Sequence, residues 1–269
     1  MKSTTYKQIT KAIQELGLEN SVICMHSSLK SFGHLEGGAD TLIQGFLDLG
    51  CTIVVPTFTY DCRVPAPVEK RILRNGCVYP YDPEHVEAFD RDSVMVSSDM
   101  GTIPARILGR KERVRGIHPM NSFAAIGPLA EVLIAKQTHL NVYGPLKMMY
   151  EVAESCVGLI GVDLTSTTAI HYAEEKAGRN LFRQWALEKD GTQREIAVGS
   201  CSDGFTVFDP YVKEMERSIR VGESKWRLFP FQPFIDVITE AIVKSPEITH
   251  CSNADCIRCN DAVRGGPLL

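Results

Sequence analysis

Three short segments hold the residues most able to do chemistry. In residues 161–174, GVDLTSTTAIHYAE, Asp163 and a Ser/Thr run can cap a helix carrying His171 and Glu174 on one face. A carboxylate bonded to one ring nitrogen fixes the tautomer and makes the other nitrogen a better base. The same spacing also suits a surface His–Glu pair of small energy. In residues 26–40, HSSLKSFGHLEGGAD, small residues between an apolar strand and a helix leave backbone N–H groups exposed. Such groups hold phosphate, or simply make a loop. In residues 116–127, GIHPMNSFAAIG, His118 and Ser122 flank a turn into a strand, at the sheet end where α/β folds collect ligands. A strand cap reads equally well there.

A fourth cluster lies in the tail. Cys251, Cys256 and Cys259 form C-x4-C-x2-C, and His250 or Cys201 could complete a structural zinc site. A lone C-x-x-C pair also occurs where no metal binds, so no metal ligand is assigned. Among the remaining cysteines, Cys24, Cys51 and Cys156 fall in or beside strand-like runs, where a buried thiol acts as a small apolar residue.

These segments need a scaffold, and the hydrophobic pattern supplies one. Short β-branched runs at 21–26, 52–56, 122–126 and 156–162 read as strands. Helical patterns at 41–49, 103–108, 128–136, 146–153 and 168–177 lie between or after them. An amphipathic N-terminal helix presents Ile9, Ile13 and Leu16. Alternation of this kind predicts a three-layer αβα sandwich around a mixed central sheet. Residues 61–98, with Pro65, Pro67, Pro80 and Pro83, read as a loop insertion over the sheet edge. A hairpin at 182–198 turns on Asp190-Gly191, and helices are expected at 209–217 and 231–243. The chain is expected to be one domain over 1–269, with a cysteine-containing tail at 244–269.

The 269 residues are 44% hydrophobic and 23% charged, an ordinary globular composition. A net charge of −4 without a basic run gives no general attraction to nucleic acid or anionic membrane. No export signal or membrane span is legible, so a cytoplasmic location with reduced cysteines is expected.

Taken in order, HSSLKSFGHLEGG, TIVVPTFTY, MGTIPARILG with HPMNSFAAIG, and GVDLTSTTAIHYAE resemble the aminoglycoside 3-N-acetyltransferase family over roughly residues 20–240. The resemblance implies an αβα fold distinct from GNAT acetyltransferases. It also implies that acetyl-CoA is co-substrate and that the amine attacks the thioester directly. It places Ser28, Leu29, Ser31 and Gly33 on the pantetheine and phosphates of CoA, and His118, Ser122 and Thr168 on the CoA or acetyl group. His171 becomes the general base, Glu174 its orienting partner, and Thr168 or a nearby N–H the oxyanion donor. The implied acceptor is the 3-amino group of a 2-deoxystreptamine aminoglycoside, a polycation, bound by a monomer or homodimer. Asp61, Glu69, Asp82, Glu214, Glu216 and Glu223 are the candidate carboxylates for it, or are solvated surface. The chain departs from relatives at Ala105, at Arg115-Gly116 and at Gly144-Pro145, all toward the acceptor side. The alternatives are an enzyme of the same fold acting on another small amine, and a non-catalytic CoA-binding or zinc-tailed protein.

Overall fold

The computed structural model describes residues 3–71 and 83–264. Cys77, Pro80 and Asp82 lie outside the described residues.

The chain opens with α1 (Tyr6–Glu15), where Thr5 and Gln8 form a reciprocal capping box. Next come β1 (Val22–Ser27), α2 (Gly38–Leu47), β2 (Thr52–Pro56), β3 (Arg63–Val64), α3 (Thr102–Leu108), β4 (Val114–Arg115) and β5 (Phe123–Ile126). The middle holds α4 (Ala130–Ile134), α5 (Gly144–Tyr150), β6 (Ser155–Ile160), α6 (Ala169–Lys176), β7 (Phe182–Leu187) and β8 (Gln193–Val198). It ends with α7 (Asp209–Val212), β9 (Arg217–Val221), β10 (Ser224–Pro230), α8 (Phe231–Lys244) and α9 (Ile257–Val263).

A seven-stranded sheet runs β4-β5-β2-β1-β6-β10-β9. Its centre is parallel, β2 and β6 both pairing with β1, while the flanking pairs are antiparallel. Successive side chains of a strand point to opposite faces, and here both faces are covered. Val22, Cys24, Val157 and Leu159 pack with α4, α5, α6 and α8 on one side. Ile23, Met25, Ile53 and Val55 pack with α1, α2 and α3 on the other. The αβα sandwich and mixed sheet expected from the alternation are therefore present. A second, three-stranded sheet, β3-β7-β8, uses the expected hairpin and draws its edge strand from the 61–98 segment.

The helix expected at 209–217 is a correction. Only Asp209–Val212 is α-helical; a 3₁₀ turn follows, and Arg217–Val221 is a strand. Ser224 pairs with Val221 across the two-residue turn Gly222-Glu223, and Gly222 has φ +60. A hairpin turn with glycine first was the signal, hidden by a helix-like charge pattern upstream.

The edge hairpin also anchors the loop after β1. Trp226 on β10 is fully buried, stacks on Phe46 at 5.8 Å and meets the edge of Phe32 at 6.2 Å. Phe32 ends the 3₁₀ turn Leu29–Phe32, so the hairpin packs directly beneath the HSSLKSF segment. Trp226→Ala is expected to cost about 3–5 kcal/mol. A lower urea midpoint at unchanged slope in equilibrium unfolding checks this.

Candidate active site

The parallel strands β1, β2 and β6 end on the same side of the sheet, the position at which open α/β sheets bind ligands. Two adjoining cavities open there. One, about 470 Å³, is lined by Met25–Lys30, Pro56, Gly101, Thr102, Pro104 and Val162. The other, about 350 Å³, is lined by Tyr60, Arg63, Asn121, Tyr143, His171, Gln184, Gly199, Ser200, Ser202, Asp203 and Arg258, among others. Phe58, Asp99, Met100, Ser166 and Thr168 line both and mark where they meet.

His171 lies in the second cavity, on the first turn of α6. Its Nδ1 donates to Oε2 of Glu174 at 2.6 Å, which leaves Nε2 with the lone pair. The ring lies nearly parallel to that of Tyr143, with centroids 6.4 Å apart, and edge-on to Phe205 at 4.8 Å. Gly199 closes the sandwich, for a Cβ there would meet Cγ of His171 at 2.9 Å.

Glu174 is 3% exposed, and burying a carboxylate is costly unless partners answer its charge. Arg179, just past Gly178 at the end of α6, ion-pairs with its other oxygen. The same guanidinium donates to Oγ1 of Thr249 at 2.6 Å and to the carbonyl of Pro246. Ser200 Oγ donates to the Glu174 carboxylate at 3.3 Å. Sequence reasoning missed Arg179 and Ser200; neither belongs to the helical spacing that exposed the pair.

Thr168 is the N-cap residue of α6, is 7% exposed, and makes no capping bond with its side chain. Asp163 caps the preceding 3₁₀ turn rather than α6: its Oδ1 accepts from the Thr165 N–H at 3.0 Å.

The residues that the resemblance placed on CoA fall into two groups. Ser28, Leu29 and Thr168 line the larger cavity, joined by Lys30. Ser31, Gly33, His118 and Ser122 line neither. Ser31 Oγ donates to the Ser28 carbonyl at 2.7 Å and bonds Ser224 at 2.7 Å, tying the loop to β10. It also occupies the space into which a Cβ on Gly161 would project, so only glycine fits there. Gly33, at φ +67, turns the chain against the Glu223 side chain. His118 is wholly buried, donates from Nε2 to the Ala197 carbonyl at 2.9 Å and accepts the Asn121 N–H on Nδ1 at 2.8 Å. It thereby joins the two sheets behind Asn121, which does line the cavity. Ser122 donates to the Thr57 carbonyl at 2.8 Å and accepts from Arg115 at 3.1 Å.

The carboxylates expected for the acceptor are another correction. Asp61, Glu69, Glu214, Glu216 and Glu223 do not line the His171 cavity; Asp99 and Asp203 do, together with Arg63 and Arg258. Glu216 is held instead by Arg227, with Lys213 and Lys225 beside it. The departure at Gly116 has a packing cause. A Cβ there would collide with Oε1 of Gln137, which accepts from Phe123 N while its amide donates to the Asn121 and Val142 carbonyls.

The strand thiols Cys24 and Cys156 are inert. Burial pushes Cys24 and Cys156 up to about 12, so neither supplies a thiolate nucleophile.

A carboxylate-backed imidazole thus lines one of two cavities that meet at Thr168. The aminoglycoside 3-N-acetyltransferase family model matches residues 24–242, and the chain belongs to that family. It is 29% identical over 209 residues to aminoglycoside N(3)-acetyltransferase III of Salmonella sp, covering 74% of this chain and 71% of the relative. Its fold matches the apoenzyme of aminoglycoside acetyltransferase AAC(3)-IVa with a TM-score of 0.79, at 22% identity over 98% of this chain and 99% of the other. It also matches AAC-IIIb in binary complex with CoASH, TM-score 0.74 at 23% identity, over 90% and 97% of the two chains. Among the described residues no helix is long and apolar enough to cross a membrane.

Two buried histidines make stability depend on pH. Burial holds His118 down at about 3 and His26 at about 4, against an ordinary 6.5. Between those values and 6.5 the unfolded chain binds protons that the folded chain refuses. Stability should therefore fall as pH drops below about 6.5, by up to about 1.4 kcal/mol per pH unit per histidine. Urea unfolding at pH 7, 6 and 5 measures the slope, which should be shallower in a folded His118→Gln protein.

Proposed function

We propose that the protein transfers the acetyl group of acetyl-CoA to the 3-amino group of a 2-deoxystreptamine aminoglycoside. The single observation that carries this reading is the His171–Glu174–Arg179 chain opening on a cavity that meets a second one at Thr168. Family membership and the CoASH complex of a structural relative support the donor. The names of the relatives support the acceptor.

In this reading the larger cavity takes acetyl-CoA. Lys30 and the backbone of the Ser28–Lys30 loop face its phosphates, and the thioester lies at Thr168. The acceptor amine enters beside His171. The amine attacks in its neutral form, and Nε2 of His171 takes a proton from the nitrogen as it adds to the thioester carbonyl. Glu174 fixes the tautomer that leaves Nε2 free to accept and stabilises the imidazolium that forms; Arg179 holds the Glu174 carboxylate in place. Charge builds on the carbonyl oxygen of the tetrahedral intermediate. The Thr168 hydroxyl, free of a capping bond at the positive end of α6, is placed to donate to it. Collapse expels the CoA thiolate, which takes the proton from the His171 imidazolium, and leaves the amide. Asp99 and Asp203 are the carboxylates available to further ammonium groups.

A second reading rests on one observation. Arg63 and Arg258 line the same cavity as Asp99 and Asp203, so its wall is mixed in charge rather than acidic. That composition favours an acceptor carrying an anionic group beside its amine. Turnover with acetyl-CoA against aminoglycosides and against amines bearing a carboxylate or phosphate decides between the two.

His171→Ala is expected to lower kcat/KM by about 10²–10⁴-fold while CoA affinity in calorimetric titration stays unchanged. Near-normal turnover at neutral pH would remove His171 as the base. Lys30→Ala is expected to do the reverse: weaker CoA binding with a reduced salt dependence, and kcat little changed at saturating acetyl-CoA.

A further inference from the structure

The sulfurs of Cys201, Cys251, Cys256 and Cys259 all lie within 4.8 Å of one another. They come from two places far apart in sequence: Cys201 from the loop after β8, the others from the tail around α9. A zinc–sulfur bond of about 2.3 Å sets the sulfurs of a tetrahedral site roughly 3.8 Å apart, which this cluster needs little adjustment to reach. A disulfide would engage only two sulfurs and does not account for four converging.

From this we infer that the four cysteines form a structural zinc site. Cys256 is the N-cap residue of α9 and Cys259 lies in its first turn, so the C-x2-C pair is presented by a helix start. The Cys251 N–H already points at Sγ of Cys259, 3.4 Å away, the backbone-to-sulfur bond that steadies a metal thiolate. His250, the other ligand considered from the sequence, is turned away: Nδ1 bonds the Cys251 carbonyl at 2.8 Å and Nε2 bonds Oδ1 of Asn260 at 3.1 Å. Binding releases the four thiol protons to solvent and leaves a tetrathiolate zinc centre, with no change of oxidation state.

The position gives the metal a task. Gly199, Ser200, Ser202 and Asp203, on either side of Cys201, line the His171 cavity, and Arg258, between Cys256 and Cys259, lines it too. Zinc would thus clamp the tail to the loop that packs on His171 and would fix both Asp203 and Arg258. This part rests on reading that cavity as the acceptor side.

The protein purified under reducing conditions without chelator should contain about one equivalent of zinc. Replacement by cobalt should give the visible bands and sulfur-to-cobalt charge transfer of a tetrahedral tetrathiolate. Cys201→Ser and Cys256→Ser should lose the metal, and His250→Ala should keep it. Removing zinc should lower the thermal midpoint and raise the KM for the acceptor more than that for acetyl-CoA. Folded wild-type protein that holds no zinc, takes up no cobalt and offers all four thiols to a thiol reagent would overturn the site. So would metal loss in His250→Ala with retention in Cys201→Ser. Zinc bound by the cysteines but with no effect on either KM would leave the site standing and refute its link to the acceptor cavity.

Discussion

The arrangement around His171 depends on one buried carboxylate. Glu174 is almost without solvent, yet His171, Arg179 and Ser200 all turn toward it. Removing one partner of such a set leaves an uncompensated charge in the interior, a far larger loss than any single surface pair. The consequence reaches beyond the helix that carries it. Arg179 also binds Thr249 and the Pro246 carbonyl, so the charge that orients the imidazole is tied to the chain after α8. The orientation of the His171 ring and the path of the tail are set by the same guanidinium.

The central sheet explains why that carboxylate stands where it does. Three neighbouring strands end together, and each end is followed by a segment with a separate duty: Ser28–Lys30 after β1, Thr57 and Phe58 after β2, Gly161–Thr168 after β6. Gly161 permits the close crossing of the first and third, since the Ser31 side chain occupies the space a Cβ would take. The β9–β10 hairpin holds the first loop from the side through Ser224 and Trp226. The two cavities therefore share walls that are fixed by backbone packing, and Thr168 belongs to both.

This division of labour governs how much of the molecule is legible in its sequence. Local signals carry well: alternation predicts the sheet and its two covered faces, and the three-residue spacing of His171 and Glu174 survives as a 2.6 Å bond. Contacts made across the fold do not. Arg179, Tyr143, Asp99, Asp203 and Arg258 reach the site through tertiary packing, and nothing in their local sequence marks them. Ser31 and His118 illustrate the opposite error. Their motifs are visible, but a motif reports that a residue type is needed and not whether it faces ligand or backbone. His118 has both ring nitrogens committed to backbone partners, and Ser31 has its hydroxyl committed to Ser28 and Ser224. The strand at 217–221 is lost because a helix-like run of charges precedes it, while the deciding Gly222 turn lies beyond it.

The cavity beside His171 follows the same logic at the level of charge. An aminoglycoside carries several ammonium groups, and counting acids along the chain suggests many partners for them. Geometry removes most of these. Glu216 is enclosed by Arg227 and two lysines, and Glu223 packs at Gly33. What is left at the wall is Asp99 beside the shared boundary and Asp203 beside Cys201, each with an arginine among the other lining residues. A carboxylate's value to a cationic ligand depends on whether a protein cation is nearer than the ligand can come. How Arg63 and Arg258 are placed relative to Asp99 and Asp203 therefore bears on how attractive the cavity is to a polycation. Asp203 and Arg258 stand next to converging cysteines, so the charge at this part of the cavity wall is set where the tail meets the loop after β8, away from the carboxylate that orients the His171 ring.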